Sequence, residues 1–181
     1  MRILVICEKQ LYNYFHTNTQ IRAIIFTCLN GYSISKKEFQ TFTPHFPLSN
    51  LQKEQIADFL VEQLGEFGDS KNDVIKCLDY AMNPNGSGGL VILASDAGGL
   101  IGALVLNHTG MSGYIPEHIL VYFAVKEEKR GRGLGKQMLQ NLLSQTQGAI
   151  ALHVEPQNPA KKLYEEFGFS NKYLEMRLSR D

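Results

Sequence analysis

The chain has 181 residues, which favours one domain with a full hydrophobic core. Acidic and basic residues balance at 18 each, so no global charge draws the protein to nucleic acid or a membrane surface, and any anion site must be a local cluster. The three cysteines include no C-x-x-C pair and suit reduced thiols in the cytoplasm. None of the five histidines stands in a close ligand pair, so no metal is expected.

Residues 1–39 read as an N-terminal extension, with extra strands expected at Ile3–Cys7 and Ile21–Leu29 and a turn at Asn30-Gly31. The opening apolar run is cut off by Glu8 and Lys9, too early for a signal peptide or a membrane span. Residues 40–181 read as the main domain. Its opening alternation, Glu38 to Thr43, predicts a strand that begins at the boundary.

Ser49 and Gln52 form a capping box ahead of Leu51, Ile56, Phe59, Leu60 and Leu64, which recur at helical spacing. A second S-x-x-D box at Ser70 leads into Val74, Ile75, Leu78, Ala81 and Met82, one face of an amphipathic helix. Asn83 to Gly89 reads as a loop. Gly89 to Ser95 and Gly99 to Asn107 are apolar strands joined by a tight turn. A polar connection, Thr109 to Glu117, precedes a continuous apolar strand, His118 to Val125. A helix follows, with Leu134, Met138, Leu139, Leu142 and Leu143 on one side. Ala149 to Glu155 predicts a strand. Asn158-Pro159 predicts a helix start, Gly168 its stop, and Tyr173 to Leu178 a closing strand.

This order predicts an α/β fold with a mixed sheet and helices on both faces. The unit from His118 to Glu155 is expected to be a right-handed parallel β-α-β crossover.

Between strand and helix the chain reads EKRGRGLGKQML, from Glu128 to Leu139. Lys129, Arg130, Arg132 and Lys136 surround Gly131, Gly133 and Gly135. A strand-to-helix turn offers backbone N–H groups and the positive end of a helix dipole, and glycines let a phosphate come close. A P-loop would need glycine at position 130, where Arg130 stands, and a hydroxyl at position 137, where Gln137 stands. A dinucleotide fingerprint would need G-x-G-x-x-G, here G-x-G-x-G, and would follow the first strand of its domain.

The segment resembles the acetyl-CoA loop of the GNAT superfamily of N-acetyltransferases. The pattern [RQ]-x-x-G-x-[GA] is matched by Arg130, Gly133 and Gly135, behind the strand VYFAV and ahead of NPAKKLYEEFGF, Asn158 to Phe169. The resemblance covers roughly residues 40–178. It implies a GNAT-like, mostly antiparallel sheet whose one parallel crossover lies at the cofactor site. It further implies acetyl-CoA as co-substrate, the pantetheine arm against the backbone of Phe123 and Val125, and the pyrophosphate on the amides from Gly131 through Arg132, Gly133, Leu134 and Gly135 to Lys136. Asn158 matches a position that often bonds the cofactor arm, and equally suits a plain helix cap. Tyr164 matches the tyrosine that protonates the leaving thiolate, and the motif position favours that role over the alternative of a core aromatic.

The fourth strand lacks the acid that family members often carry there. Glu117 just before it, and His153 and Glu155 on the fifth strand, are the candidate bases. The implied reaction is acetyl transfer to a primary amine of a small molecule or peptide, with a non-catalytic acyl-CoA-binding module as the alternative. The acceptor would meet the Thr109–Glu117 connection and the early helices, with Tyr114 and His118 as lining candidates. Family members often form homodimers, but nothing in the sequence signals one.

Overall fold

The computed structural model describes residues 37–178. The strands expected near Ile3 and Ile21, the Asn30-Gly31 turn, and Cys7 and Cys28 lie outside them. In chain order the elements are β1 (Glu38–Phe42), α1 (Asn50–Leu64), α2 (Lys71–Ala81), β2 (Gly89–Asp96), β3 (Gly99–His108), β4 (His118–Val125), α3 (Leu134–Gln145), β5 (Ile150–Leu152) and α4 (Lys161–Glu166). The strands lie side by side in sequence order. Pairing is antiparallel from β1 to β4 and parallel between β4 and β5, which α3 connects.

The helix starts follow from their caps. The Ser49 hydroxyl accepts from the Gln52 N–H, and the Gln52 side chain accepts from the Ser49 N–H, a complete capping box. Ser70 caps α2 by accepting from the Asp73 N–H. Helix α1 buries Ile56, Ala57, Phe59 and Leu60. Leu51 was expected on that face but is exposed. It lies five residues before Ile56, about 140° around the helix.

Helices α1 and α2 cover one face of the sheet, packing with Val91, Ala103, Val105, Tyr122 and Ala124. Helices α3 and α4 cover the other, where Leu134, Met138, Leu139 and Leu142 meet Ile92, Leu104, Leu106 and Leu120. Leu143 was expected with them and is exposed instead.

Strand β4 carries a bulge. Leu106 opposes Leu120 and Val105 opposes Tyr122, so Val121 is an extra residue in β4. Such a bulge inverts the alternation. Leu120 faces α3 and α4, yet Tyr122 and Ala124 face α1 and α2. Strand β5 pairs only with His118, Ile119 and Leu120, ahead of the bulge.

Three expected elements differ. The strand from Ala149 to Glu155 is confined to Ile150–Leu152, because β4 bends at its bulge and the ladder ends there. His153 and Glu155 are therefore not on a strand. The last helix begins at Lys161 rather than beside Pro159. The Asn158 side chain does accept a backbone N–H, that of Ala160 at 2.9 Å, but closes a turn ahead of the helix. The helix stops as expected at Gly168, whose φ of 88° lets Phe169 N–H reach the Tyr164 carbonyl. Tyr173 to Leu178 forms no strand, and Tyr173, Leu174, Met176 and Leu178 are exposed.

Candidate active site

Past Leu120 and Leu152 the two parallel strands have no common ladder, and β4 runs on alone to Val125. The result is a fork. The direction of its backbone groups follows from one bond. Lys126 N–H donates to the Ile101 carbonyl at 2.9 Å, with Val125 opposite Gly102. In an antiparallel ladder this turns Ala124 and Lys126 toward β3 and turns the peptide groups of Phe123 and Val125 outward, into the fork.

The glycine turn lies at the open end of β4. Gly131 and Gly133 have φ of 70° and 76°, and a β-carbon on either would meet no atom within 4 Å. Gly133 caps α3 without a side-chain bond. The first helical bond it receives comes from the Gln137 N–H, at 3.1 Å. The N–H groups of Leu134, Gly135 and Lys136 therefore lack intrahelical acceptors. Two left-handed residues, open space and uncapped N–H groups at the positive end of a helix fit an anion. Gly135 has a different task. A β-carbon there would stand 3.0 Å from Leu163 Cδ2, so its absence lets α3 approach α4.

Gly133→Val should cost about 1–3 kcal/mol, because a β-branched residue is strained at positive φ. No protein atom blocks the side chain, so the fold should survive. Acetyl-CoA affinity, measured by calorimetry, is expected to fall at least tenfold.

The basic residues of the turn divide by partner. Arg130 donates to the Val125 carbonyl at 2.9 Å and to the Gln63 carbonyl at 2.7 Å. Gln63 returns a bond, accepting from the Glu127 N–H at 2.8 Å. The Arg130 side chain thus ties the turn to the end of α1. Lys129 pairs with the buried Asp96 carboxylate at 2.6 Å, and Lys136 pairs with Glu166 at 2.5 Å on the surface. Arg132 is exposed and makes no side-chain bond among the described residues.

Tyr164 is 9 % exposed. Its ring packs edge-on to Phe169 at 5.8 Å between centroids and lies 6.4 Å from Phe123, on the α3 and α4 side of the fork. The hydroxyl makes no hydrogen bond among the described residues. Burial pushes the phenol up to about 12, so it is protonated at every ordinary pH.

Glu117 is placed elsewhere. Its carboxylate accepts from the Ala149 N–H at 2.7 Å and the Gly113 N–H at 3.3 Å, bonds that hold its pKa below the ordinary 4.5. It precedes the first residue of β4, roughly 20 Å along the strand from Phe123. His118 lies at that same end. Its Nε2 donates to the Gln147 carbonyl and its Nδ1 lies 2.7 Å from Nδ1 of His108. Both histidines line a groove of about 500 Å³ with Thr41, His45, Asn83 and Ser87. His153, by contrast, follows directly on β5, at the start of the second arm of the fork. Val154 packs toward α3 and α4, so His153 points to the other face, exposed and 3.9 Å from Glu175.

The Glu117 bonds form only in the folded chain, and a depressed carboxylate adds stability above its unfolded value. Wild type should be more stable than Glu117→Gln at pH 7. The difference should fade as pH falls below about 4.5, where the carboxylate takes up protons. Denaturation midpoints at pH 7 and pH 3.5 check this.

The sequence did not single out Gln63, Asp69 or Asp96. Each acts on a residue far along the chain, and no local pattern announces such a bond.

The fold is that of known acyltransferases. The structure is similar to an aminoglycoside N-acetyltransferase, AAC(6')-Iy, solved in complex with CoA, with a TM-score of 0.59 and 14% identity over 81% of this chain and 95% of that one. It is similar to a ribosomal-protein-alanine N-acetyltransferase from Brucella melitensis, with a TM-score of 0.57 and 13% identity over 80% and 99%. A GNAT-family acetyltransferase from Streptococcus pneumoniae gives a TM-score of 0.58 and 14% identity over 81% and 100%. No curated protein matches the sequence. The family model for the acetyltransferase (GNAT) domain matches residues 87–171, which hold the meander, the fork, the turn and α4, and with these structures it supports assignment to the GNAT superfamily. The similarity points to acetyl-CoA-dependent acyl transfer as the general class of activity.

Proposed function

We propose that the protein is an N-acetyltransferase that moves an acetyl group from acetyl-CoA to a primary amine by direct attack on the thioester. The observation that carries this reading is the fork between β4 and β5, with uncapped N–H groups of α3 at its open end. The parallel β4-α3-β5 unit is then the cofactor site.

Acetyl-CoA supplies the activated acyl group as a thioester. The N–H groups from Gly131 to Lys136 hold its pyrophosphate, and Arg132, whose side chain makes no bond among the described residues, adds charge. Arg130 and Gln63 hold that loop in place. The outward peptide groups of Phe123 and Val125 line the arm of the fork. The Val125 N–H is placed to donate to the carbonyl oxygen as it gains negative charge. Tyr164, protonated and in contact with Phe123, gives a proton to the departing sulfur. His153 stands on the opposite face and takes a proton from the attacking nitrogen, directly or through water. An alkyl amine with pKa about 10.4 is only roughly one part in a thousand neutral at pH 7.4, so proton removal matters. Asn158 closes the turn before α4 and thereby sets the helix that carries Tyr164.

The test is free-thiol release from acetyl-CoA with a panel of primary amines. Amine-dependent release is expected. Tight acetyl-CoA binding without release by any amine would point to a non-catalytic acyl-CoA-binding module.

A further inference from the structure

The groove of about 500 Å³ lies where β4 begins, at the far end of that strand from the glycine turn. Its volume is within the range of small-molecule sites. Its walls bring together polar groups with no other task. The hydroxyls of Thr41, Thr43 and Ser87 and the imidazole of His45 make no hydrogen bond among the described residues. The histidine pair adds another such group. A carbonyl oxygen only accepts, so His118 Nε2, 2.7 Å from the Gln147 carbonyl, carries a hydrogen. Nδ1 of neutral His118 then holds a lone pair, and His108 Nδ1, 2.7 Å away, donates to it. Neutral His108 is thereby left with its lone pair on Nε2, which has no partner among the described residues.

We propose that this groove is a binding site for a small oxyanion, separate from the cofactor turn, and that His108 Nε2 takes up a proton as the ion binds. The site does not depend on the acetyl-transfer reading. The ionisable side chains that line it, among the described residues, are His45, His108 and His118, so any charge the groove acquires is positive. Hydroxyls and a protonated imidazole are the donors an oxyanion needs. Burial, and then the neighbouring His118, hold the His108 pKa below the ordinary 6.5. His108 is therefore mainly neutral at pH 7, and a bound anion favours its protonation. A proton on Nε2 keeps the Nδ1–H bond to His118 and makes it charge-assisted. Two other ionisable groups stand beside the pair. The Glu117 carboxylate acts on His118 through space, and the Tyr80 hydroxyl of α2 donates to the His108 carbonyl at 2.8 Å. The end of α3, Gln145 to Gln147, brings no ionisable side chain.

The experiment titrates the full chain by calorimetry with sodium sulfate and with sodium acetate, at about pH 8 and about pH 6 and constant ionic strength. Buffers of different ionisation heat show whether protons are taken up. Sulfate stands for a phosphate or sulfate ester and acetate for a carboxylate, and neither changes charge across this range. Saturable binding is expected, roughly tenfold tighter at the lower pH and with net proton uptake. The probe that binds more tightly gives the ligand class. His108→Asn keeps an amide N–H where Nδ1 stands, so His118 retains its donor and only Nε2 is lost. It should weaken binding at the lower pH roughly tenfold and abolish the proton uptake, with a melting temperature near wild type. Gly133→Val, which alters the turn alone, should keep both the binding and the uptake. No saturable binding of either ion, or binding that ignores pH or survives His108→Asn, would overturn the proposal. So would binding lost in Gly133→Val and kept in His108→Asn, which would place the ion at the turn. Acetyl transfer is tested separately by thiol release and does not enter these outcomes.

Discussion

Tyr164→Phe should slow the chemical step by roughly 10²- to 10⁴-fold, the usual worth of a positioned acid. Acetyl-CoA affinity and melting temperature should stay near wild type. The ring contacts with Phe123 and Phe169 survive the change, and the hydroxyl has no partner among the described residues to orphan. Stability alone therefore cannot account for a lost rate. The size within that range follows from acidity. Burial raises the phenol to about 12, whereas a thiol of ordinary pKa, about 8.5, is the stronger acid. Proton transfer is uphill and water can substitute in part, so the lower end is expected. The same value means that Tyr164 contributes no inflection to the rate between pH 7 and pH 10. Single-turnover thiol release isolates chemistry from product release. An unchanged single-turnover rate in the Phe variant would remove Tyr164 from the mechanism.

Leu139→Ala is expected to have the largest effect on stability. Leu139 is fully buried on α3, beside Met138 and Leu142. Deleting its branched end should cost about 2–5 kcal/mol through lost burial and the cavity left behind. The melting temperature should fall on the order of 10 °C. Helix α3 also presents the N–H groups proposed to hold pyrophosphate, and acetyl-CoA binding to the native state alone should return part of the loss by mass action. Denaturant titrations with and without acetyl-CoA measure both effects. A loss under about 1 kcal/mol would mean that α3 is not anchored by this face.

The elements that were legible in the sequence carry their own signals. The capping box at Ser49, the cap at Ser70, the apolar runs of β2, β3 and β4, and the glycine turn are local patterns, and the structure forms each of them, although at Ser70 only the serine half of the expected box is made. The misread elements depend on a neighbour. Tyr173 to Leu178 alternates like a strand, but a strand needs a ladder, and among the described residues the sheet ends at β5 without it. The same shortening took His153 and Glu155 off a shared strand face. The extra residue at Val121 has no sequence mark, yet it turns Tyr122 to the α1 and α2 face and ends the pairing that opens the fork.

The candidate site divides in the same way. Arg130 matches the loop motif, but its side chain holds carbonyls of Val125 and Gln63, the latter 67 residues away. The Tyr122–Asp69 bond spans 53 residues. Motif reading locates the turn, and only the fold shows which of its charges remain for a ligand.

The proposed activity depends above all on the β4–β5 fork and the N-terminus of α3 together holding acetyl-CoA. Calorimetric titration of the full chain with acetyl-CoA, against NADH and with Gly133→Val alongside, tests this most directly. One-to-one binding of acetyl-CoA is expected, at least tenfold weaker in the valine variant, with no comparable heat from NADH. Absence of acetyl-CoA binding to wild type, or equal affinity in the valine variant while the fold is intact, would contradict it.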